Sequence, residues 1–238
     1  MGVMVVTGAS AGIGRAVAEM ALAQGWQVAC LARRVEVLEE VAATGEGFAV
    51  ACDVADPVSI ERAFAQVVAR FGRIDVLFNN AGMFPPAALP DEMVLEDWEA
   101  CVAVNLTGMV LCARAAFGQM RAQAPRGGRI INNGSISAQV PRPKSLPYTV
   151  TKHAINGLTK QLALDGRGFD IACGQIDVGN ARTGLLAGID AAAAKGTEPT
   201  MDVVDVARSV LHMASLPLEA NVLNMTVMAS GMAFVGRG

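Results

Sequence analysis

Tyr148 and Lys152 are the residues of this sequence whose types and spacing most directly suggest acid–base chemistry. They lie four residues apart, so on a helix their side chains share one face. Tyr148 is the only tyrosine in the 238 residues, and Pro147 before it is typical of a helix start. A phenol, with a reference pKa of about 10, is a poor acid–base group at neutral pH, but a nearby ammonium favours the phenolate. The pair could therefore donate and accept a proton, although such a pair taken alone more often lies on a helix surface.

A glycine-rich segment near the N-terminus has the composition of a phosphate-binding loop. The sequence Thr7-Gly8-Ala9-Ser10-Ala11-Gly12-Ile13-Gly14 joins a β-branched run to a helical pattern. Glycines allow a sharp turn and a close approach to a pyrophosphate, whose charge the helix N-terminus stabilises. The spacing is Gly-x-x-x-Gly-x-Gly rather than the Gly-x-Gly-x-x-Gly of the general fingerprint. We predict a dinucleotide site formed by Gly8, Ser10, Gly12, Ile13 and Gly14, with a structural turn as the alternative.

The residues after the second and third predicted strands indicate which dinucleotide binds. The second strand ends in Arg33 and Arg34, where an NAD site usually has an acidic residue for the ribose 2′-hydroxyl. Two guanidinium groups suit a 2′-phosphate by charge and geometry. We therefore predict NADP(H) as the cofactor, with Arg33 the better candidate and a solvated arginine pair as the alternative. Asp53 follows the third strand, where its carboxylate could accept a bond from an adenine amino group or could form a turn.

The elements that must position these residues alternate between strands and helices. Seven apolar runs have the length of strands, at 3–6, 26–31, 48–52, 76–78, 129–131, 171–176 and 222–227, with helical patterns between most of them, for example at 15–24, 59–71 and 202–214. Near-continuous apolar strands in this alternation predict a parallel sheet covered on both faces. The predicted fold class is α/β, a Rossmann-type doubly wound seven-stranded parallel sheet with helices on both faces. The length of 238 residues suits a single domain, 1–238.

Six motifs in a fixed order make a specific set. They are the glycine loop, Asp53-Val54, Asn79-Asn80-Ala81-Gly82, Val104-Asn105, Gly134-Ser135 and Tyr148-x-x-x-Lys152. Over essentially the whole chain this set resembles the short-chain dehydrogenase/reductase family, in its shorter subfamily. The resemblance implies an oxidoreductase that interconverts a ketone and a secondary alcohol by hydride transfer.

The resemblance also implies a catalytic tetrad. Tyr148 would be the general acid in reduction and the base in oxidation. Lys152, with the positive charge of an oxidised nicotinamide, would lower the pKa of Tyr148 and would hold the nicotinamide ribose. Ser135 would bind the substrate oxygen, with Ser137 as the second choice, and Asn105 would brace a water leading to the lysine. Further cofactor contacts would come from Val54, Asn79, Ala81, Gly82, Tyr148, Gly179 and Thr183.

Two positions depart from the family pattern. Val178 stands where a proline usually precedes the glycine at 179. Ala11 stands where many NADP-using members carry a basic residue, so the prediction of NADP(H) rests on Arg33 and Arg34.

The segments expected to surround the substrate are small and mostly apolar. The lid would span approximately 183–200, and the other walls would be 83–86 and 140–143. This composition predicts a small apolar carbonyl or alcohol substrate, unless these residues merely pack against one another. Arg142 and Lys144 could meet an acidic substrate or could face water.

Two other functions remain open. A 3-oxoacyl thioester reductase would use the same motifs, and an acidic acyl carrier protein would need a basic patch, for which Arg121, Arg126 and Arg129 are candidates. A non-catalytic NADP-binding regulator would bind the nucleotide without turnover. The complete tetrad argues against that second alternative.

Composition argues against several other classes of protein. A net charge of −3 without a basic stripe disfavours nucleic-acid binding, and five scattered cysteines with two histidines favour reduced thiols over a metal site. No apolar run reaches the roughly 18 residues of a membrane helix, and no room precedes the first strand for a signal peptide. We therefore expect a cytoplasmic protein without a membrane partner. Helical stretches at 100–117 and 149–164 are apolar on more than one side, which predicts a partner surface, and the resemblance implies a homotetramer.

Overall fold

A seven-stranded sheet forms the centre of the protein in the computed structural model, which describes residues 2–183 and 199–234. The strands are β1 (Val3–Thr7), β2 (Gln27–Ala32), β3 (Gly47–Ala51), β4 (Val76–Asn79), β5 (Gly128–Asn133), β6 (Ile171–Val178) and β7 (Asn224–Val227). Every pairing is parallel, and the order across the sheet is β3-β2-β1-β4-β5-β6-β7. This confirms the predicted α/β fold, a doubly wound parallel sheet of the Rossmann type.

Helices cover both faces of the sheet. Within the described ranges they are α1 (Gly12–Ala23), α2 (Val35–Ala42), α3 (Pro57–Phe71), α4 (Leu95–Val102), α5 (Met109–Ala122), α6 (Leu146–Gly166) and α7 (Val203–Ser215). Buried residues of α1, α2 and α7 form one core with the sheet, and those of α3 and α5 form a second core on the opposite face, where α6 also packs. Because both faces are covered, all five residues of β1 are buried, as a continuous apolar run requires.

Local sequence signals set several of the helix boundaries. Asp56 caps α3 by accepting a hydrogen bond from the backbone N–H of Val58 at 3.0 Å, and Pro57 occupies the first turn. The same helix ends at Gly72, whose φ of 77° is the left-handed conformation common after a last helical turn. Asp202 caps α7 in the way that Asp56 caps α3. These caps explain why aspartates stand directly before apolar helical segments.

One long apolar helix crosses the second face of the sheet. It joins α4 and α5 through a π-helical segment, Ala103–Gly108, and spans 28 residues, with a mean hydropathy of 1.7 over its most apolar 18-residue stretch. Among the residues described it is the one helix long and apolar enough to cross a membrane, a weak criterion that core helices of soluble proteins also meet. Its residues Met109, Cys112 and Ala116 are buried, the latter two in the core beneath the sheet. We therefore interpret its apolarity as that of a helix packed on the core.

The predicted strands lie within two residues of the observed ones. The helix after the glycine loop begins earlier than predicted, at Gly12 rather than at residue 15, because the end of the loop itself forms the first turn. Most of the lid predicted at 183–200 lies outside the described residues. A bridge between Ala181 and Met201 joins the two sides of that segment.

Candidate active site

A network of side-chain amides and hydroxyls joins the carboxyl ends of β1, β4 and β5. The Thr7 hydroxyl accepts hydrogen bonds from the backbone N–H groups of Asn80 and Ala81 at 2.8 and 2.9 Å. The Asn80 side chain donates to the carbonyl of Thr7 at 2.8 Å and accepts from Asn133 Nδ2 at 2.9 Å. Ligands of open parallel sheets bind outside the carboxyl ends of the strands. The network therefore fixes the edge of the sheet at which a ligand is expected.

The glycine loop forms a cradle that larger residues would fill. Gly12 has a φ of 54°, which side chains rarely adopt. A Cβ atom on Gly14 would overlap the carbonyl of Gly8 and the Asn80 side chain, so Gly14 is needed for the close packing of α1 on the loop. Ala11 at the N-cap of α1 provides no side-chain acceptor. The backbone N–H groups at this helix start are therefore free of a side-chain cap and suit an anionic group.

Arg33 and Arg34 lie exposed where β2 ends and α2 begins. The Arg34 Nη2 atom lies 3.4 Å from the Ser10 hydroxyl, so the structure brings Arg34 to the glycine loop, with Arg33 next to it in the chain. Neither arginine belongs to an ion pair formed among residues 2–183 and 199–234. Their charge is thus not neutralised by a described carboxylate, which is the condition for recognising a phosphate.

Asp53 adopts the turn that the sequence left as one of two readings. Its Oδ1 accepts from the backbone N–H of Ala55 at 3.0 Å, and its own N–H donates to the Ser59 hydroxyl at 3.0 Å. The contact with an adenine amino group stays a prediction. Val54, next along, packs against Gly108, where an added Cβ would lie 3.1 Å from the Val54 side chain.

Tyr148 and Lys152 lie one turn apart at the start of α6, as predicted from their spacing. The Lys152 Nζ atom is 5.6 Å from the centre of the Tyr148 ring and donates to the carbonyl of Asn133 at 2.7 Å. Lys152 is 3% exposed. This burial lowers the pKa of Lys152 to about 8, although the charges of Asp177 and Cys101 act in the opposite direction. The ammonium is thus held beside the phenol and tied to the network at the strand ends.

The phenol of Tyr148 is less acidic than the sequence suggests. Burial raises the pKa of Tyr148, and this effect exceeds the lowering by a hydrogen bond with Ser135 and by the charge of Arg142. The phenol loses more hydration than Ser135 and Arg142 restore. The lowering of this pKa by Lys152 together with an oxidised nicotinamide stays a prediction. The ring of Phe84 packs on that of Tyr148 with centroids 4.5 Å apart and contributes to the burial.

Ser135 lies after β5, and its hydroxyl faces Tyr148. The oxygen accepts a hydrogen bond from the backbone N–H of Ser137 at 3.1 Å, and the hydroxyl is hydrogen-bonded to the Tyr148 phenol. Because Ser137 already donates to this oxygen, the Ser135 proton is available for a second oxygen atom. The Ser137 hydroxyl is buried and is one of three buried side-chain polar atoms in the described residues that lack a hydrogen-bond partner. Ser137 therefore has free hydrogen-bonding capacity at this site, and the Ser135 hydroxyl is already engaged with Ser137 and Tyr148.

Asn105 occupies the π-helical segment between α4 and α5, a distortion that is frequent at functional sites. Its Oδ1 accepts from the backbone N–H of Met83, and its Nδ2 donates to the carbonyl of Met83, both at 2.8 Å. The same Nδ2 lies 3.3 Å from the sulfur of Cys101. The side chain therefore clamps the loop after β4, and the bracing of a water would fall to the backbone carbonyl of Asn105.

The segment after β4 holds three further predicted residues. Asn79 is buried, and its amide donates to the carbonyl of Met109 at 2.8 Å and to Asn132 Oδ1 at 3.2 Å. Its side chain thus packs β4 against α5 and β5, so a cofactor contact would come from its backbone. Ala81 is fixed through its N–H to Thr7. An added Cβ on Gly82 would lie 3.4 Å from Asn105 Oδ1, so Gly82 lies directly beside the asparagine.

The residues after β6 close the other side of the site. Val178, where the family usually has proline, is the last residue of β6 and pairs with Val227. Gly179 donates its N–H to the carbonyl of Val227 at 2.8 Å. Thr183 lies near the glycine loop, since an added Cβ on Gly12 would be 3.4 Å from its side chain. The strand geometry therefore continues through the position of the family proline. Thr183 lies beside the glycine loop, and its cofactor contact stays a prediction.

Three polar residues of the site were missed by sequence reasoning. Asn80 and Asn133 connect the glycine loop to Lys152, and Asp177 is a fully buried carboxylate that accepts the backbone N–H of Ser135 at 3.0 Å. Each lies at the carboxyl end of an apolar strand, and that position was the available signal.

This chain is similar in sequence and in structure to known dehydrogenases and reductases. A family profile described as short chain dehydrogenase matches residues 2–194. The chain is 34% identical over 181 residues to 3beta-hydroxysteroid dehydrogenase of Mediterraneibacter gnavus, covering 73% of this chain and 64% of that protein, just under two thirds of its length. It is 33% identical over 212 residues to 3-oxoacyl-[acyl-carrier-protein] reductase of Synechocystis sp., covering 87% of this chain and 82% of that protein. The closed form of serine dehydrogenase complexed with NADP+ superposes with a TM-score of 0.90 at 28% identity, covering 99% of this chain and 98% of the other.

Proposed function

This chain belongs to the short-chain dehydrogenase family, and from that premise we propose that it interconverts a ketone and a secondary alcohol with NADP(H). The observation that carries the proposal is the convergence of Tyr148, Lys152 and Ser135 on the sheet edge that also holds the glycine loop. Two similar proteins are named for alcohol or 3-oxo chemistry, a hydroxysteroid dehydrogenase and a 3-oxoacyl reductase. Ketone and alcohol interconversion is the reaction that these names and this geometry have in common.

The residues at the site fit NADP(H). The uncapped start of α1 and the cradle of Gly8, Gly12 and Gly14 suit a pyrophosphate. Arg33 and Arg34, which pair with no carboxylate of the described residues, suit a ribose 2′-phosphate. The similar serine dehydrogenase was solved with NADP+. When bound, the nicotinamide supplies a hydride in reduction and accepts one in oxidation. The remaining chemistry, which is proton transfer and orientation, falls to the side chains.

Tyr148 is assigned the proton transfer. In reduction, the Ser135 hydroxyl holds the carbonyl oxygen and Tyr148 delivers its proton to that oxygen as the hydride reaches the carbon. The raised pKa of Tyr148 keeps the phenol protonated at neutral pH, which suits this direction. In oxidation the phenolate must accept the proton of the alcohol, so the rate of oxidation is expected to rise with pH.

Lys152 supplies a positive charge that stabilises the phenolate when it forms. Its pKa of about 8 means that it is protonated in the neutral range in which the reaction would run. The hydrogen bond from Nζ to the carbonyl of Asn133 fixes its position relative to β5. From there we assign it a contact with the nicotinamide ribose as well, with the carbonyl of Asn105 bracing a water beside it.

The substrate that we propose is a small, uncharged, mostly apolar ketone or its alcohol. Phe84 provides an apolar wall directly against Tyr148. Arg142 is a cation whose charge acts on the phenol, and its guanidinium is hydrogen-bonded to the side chain of Asn180. This bond engages Arg142 within the protein, which favours an uncharged substrate over an acidic one. The lid segment, whose apolar composition supports the same inference, lies outside the described residues.

A carrier-bound thioester is the less favoured substrate because the expected basic patch does not form as predicted. Arg129 is 1% exposed, and its guanidinium donates to three carbonyls of the loop after α7 and to Asn221. It therefore cannot meet a partner. Arg126 pairs with Asp170 at 2.9 Å, so its charge is already neutralised. Of the three candidates only Arg121 is left, and one arginine does not make a basic patch for an acidic protein. A non-catalytic regulator is disfavoured because it would have no need of the assembled tetrad.

We further propose a cytoplasmic homotetramer. The described cysteines are all free and buried, which suits a reducing compartment. Three large apolar side chains, Val110 of α5 and Val150 and Leu164 of α6, expose between 38 and 53% of their surface. Exposed apolar side chains on these two helices support a surface that a partner chain covers. Light scattering at micromolar concentration should give the mass of four chains; the mass of one chain would contradict this assembly.

The experiment that tests the function follows NADPH oxidation at 340 nm against ketones, 3-oxo esters and 3-oxoacyl thioesters. NADH is run in parallel, and the Tyr148→Phe variant serves as the control for enzyme-dependent turnover. Turnover of simple ketones with NADPH, absent in Tyr148→Phe, is the expected result. Turnover confined to thioesters would favour the carrier-dependent alternative. Tight NADPH binding without turnover of any class would favour the regulator.

A further inference from the structure

A buried carboxylate lies directly behind the serine of the site. Asp177, near the end of β6, has no exposed surface. Its Oδ1 accepts from the backbone N–H of Ser135 at 3.0 Å and from Gln175 Nε2 at 2.6 Å. Its Oδ2 accepts from Gln139 Nε2 at 2.8 Å and from Asn224 Nδ2 at 3.2 Å. All four donors are uncharged, so the negative charge of this carboxylate is solvated by amides and is not cancelled by a cation in hydrogen-bond contact.

Four converging donors explain why an acidic residue occupies this position. An ionised carboxylate only accepts hydrogen bonds and can take four, two at each oxygen. A neutral amide in the same place would offer acceptors at one oxygen alone. The neighbouring backbone is adapted to the carboxylate, because a Cβ atom on Gly134 would overlap Asp177 Oδ1 and Gln175 Nε2. The glycine before Ser135 therefore lets the carboxylate approach the backbone that carries the serine.

The same charge acts on the two groups that handle the proton. Asp177 raises the pKa of Lys152 and also that of Tyr148, because a negative charge favours the ammonium and disfavours the phenolate. The other charged or ionisable groups that act on Tyr148 are Arg142, from the loop before α6, and Cys101, from α4. Lys152 lies on α6 itself, with its Nζ atom over the ring at 5.6 Å from the ring centre. Asp177 is thus the charged residue of β6 that acts on both Tyr148 and Lys152.

We propose that Asp177 is a positioning residue, whose carboxylate holds the backbone of Ser135 and places a fixed negative charge behind the Tyr148–Lys152 pair. Its catalytic consequence rests on the proposed function. Its electrostatic consequence does not, because it acts on groups of the protein itself. Ser135 is thereby held from two sides. Asp177 accepts a hydrogen bond from the Ser135 backbone N–H, and the Ser137 backbone N–H donates to the Ser135 hydroxyl.

The single tyrosine of the chain allows a direct test. Absorbance of tyrosinate near 295 nm reports the ionisation of Tyr148 alone, and a rapid pH jump records it before alkaline unfolding. Asp177→Asn is nearly isosteric and keeps one acceptor oxygen, but removes the charge. We expect the midpoint of Tyr148 ionisation to fall, because removal of the negative charge favours the phenolate.

Gln139→Ala is the matched control, because it removes one neutral donor from the same carboxylate and leaves the charge in place. Its midpoint should equal that of the wild type. Should Asp177→Asn fail to fold, Asp177→Ser removes the charge with a smaller side chain and should give the same shift. An unchanged midpoint in a folded variant that lacks the carboxylate would overturn the proposal, as would an equal shift in Gln139→Ala.

Activity provides the second readout. If the wild type oxidises an alcohol, the pH at which the Asp177→Asn rate rises should move in the same direction as the tyrosinate midpoint. Its kcat should fall, since Ser135 is held less firmly. If the wild type shows no turnover on any compound, the proposed function fails, yet the tyrosinate midpoints still decide the role of Asp177. The two failures are therefore distinguishable.

Discussion

The preference for NADPH over NADH should depend on two exposed arginines. Arg33 and Arg34 stand at the end of β2, beside the Ser10 hydroxyl of the glycine loop and without a described carboxylate partner. NADPH and NADH differ only in the 2′-phosphate. Replacing Arg33, Arg34 or both with alanine should therefore weaken NADPH and leave NADH almost unaffected.

The expected size follows from the exposure of the two side chains. A net hydrogen bond to a charged group contributes about 1.5–3 kcal/mol, and solvent screening at an exposed site places each arginine at the lower end. About 1.4 kcal/mol corresponds to a factor of ten. We expect each single variant to lose about tenfold, and the double variant about a hundredfold, in affinity for NADPH.

The assay is fluorescence titration of both reduced nucleotides, accompanied by kcat/KM for each. Arg208→Ala is the matched control, because it removes an equally exposed arginine from a surface pair with Asp205 on α7. The loss in the double variant should shrink as ionic strength rises, since screening already weakens the wild type. Equal losses for NADPH and NADH, or no loss in the double variant, would refute the assignment of these residues to the 2′-phosphate.

Three further perturbations test other parts of the molecule. Tyr148→Phe should lower kcat by about 10³-fold with a much smaller effect on NADPH affinity, and residual turnover near the wild-type rate would remove its catalytic role. Arg129→Met leaves the carbonyls of Leu216, Pro217 and Ala220 without their donor and should reduce the free energy of unfolding by about 3 kcal/mol; a urea midpoint like that of the wild type would contradict this. Burial raises the pKa of Cys30 to about 12, so the folded state keeps a proton that the unfolded state loses above about pH 9. Stability from this thiol is present below pH 9 and lost as pH rises through 12, and Cys30→Ala should flatten that decline in urea titrations; an equal slope would argue against it.

For the polar residues near the strand ends, the sequence predicted which residues belong to the site but not where every side chain points. Tyr148, Lys152 and Ser135 could be identified because their spacing and order are properties of the chain, and the structure brings them together as expected. The side chain of Asn79 is used instead to pack β4 against α5. Arg129, a candidate for a surface patch, is buried under the loop after α7. For both residues the sequence showed the type of side chain but not the direction in which it points.

The sequence by itself determined the elements and their class. Continuous β-branched runs require a sheet covered on both faces, glycines mark the cradle, and helix caps such as Asp56 act on neighbours two residues away. Tertiary structure alone decided the roles of Asn105 and Asp177. Asp177 meets Ser135 across 42 residues of chain, and Asn105 meets Met83 across 22. Whether a buried polar group is satisfied depends on donors and acceptors that parallel strands bring together from distant segments, and no local pattern encodes that pairing.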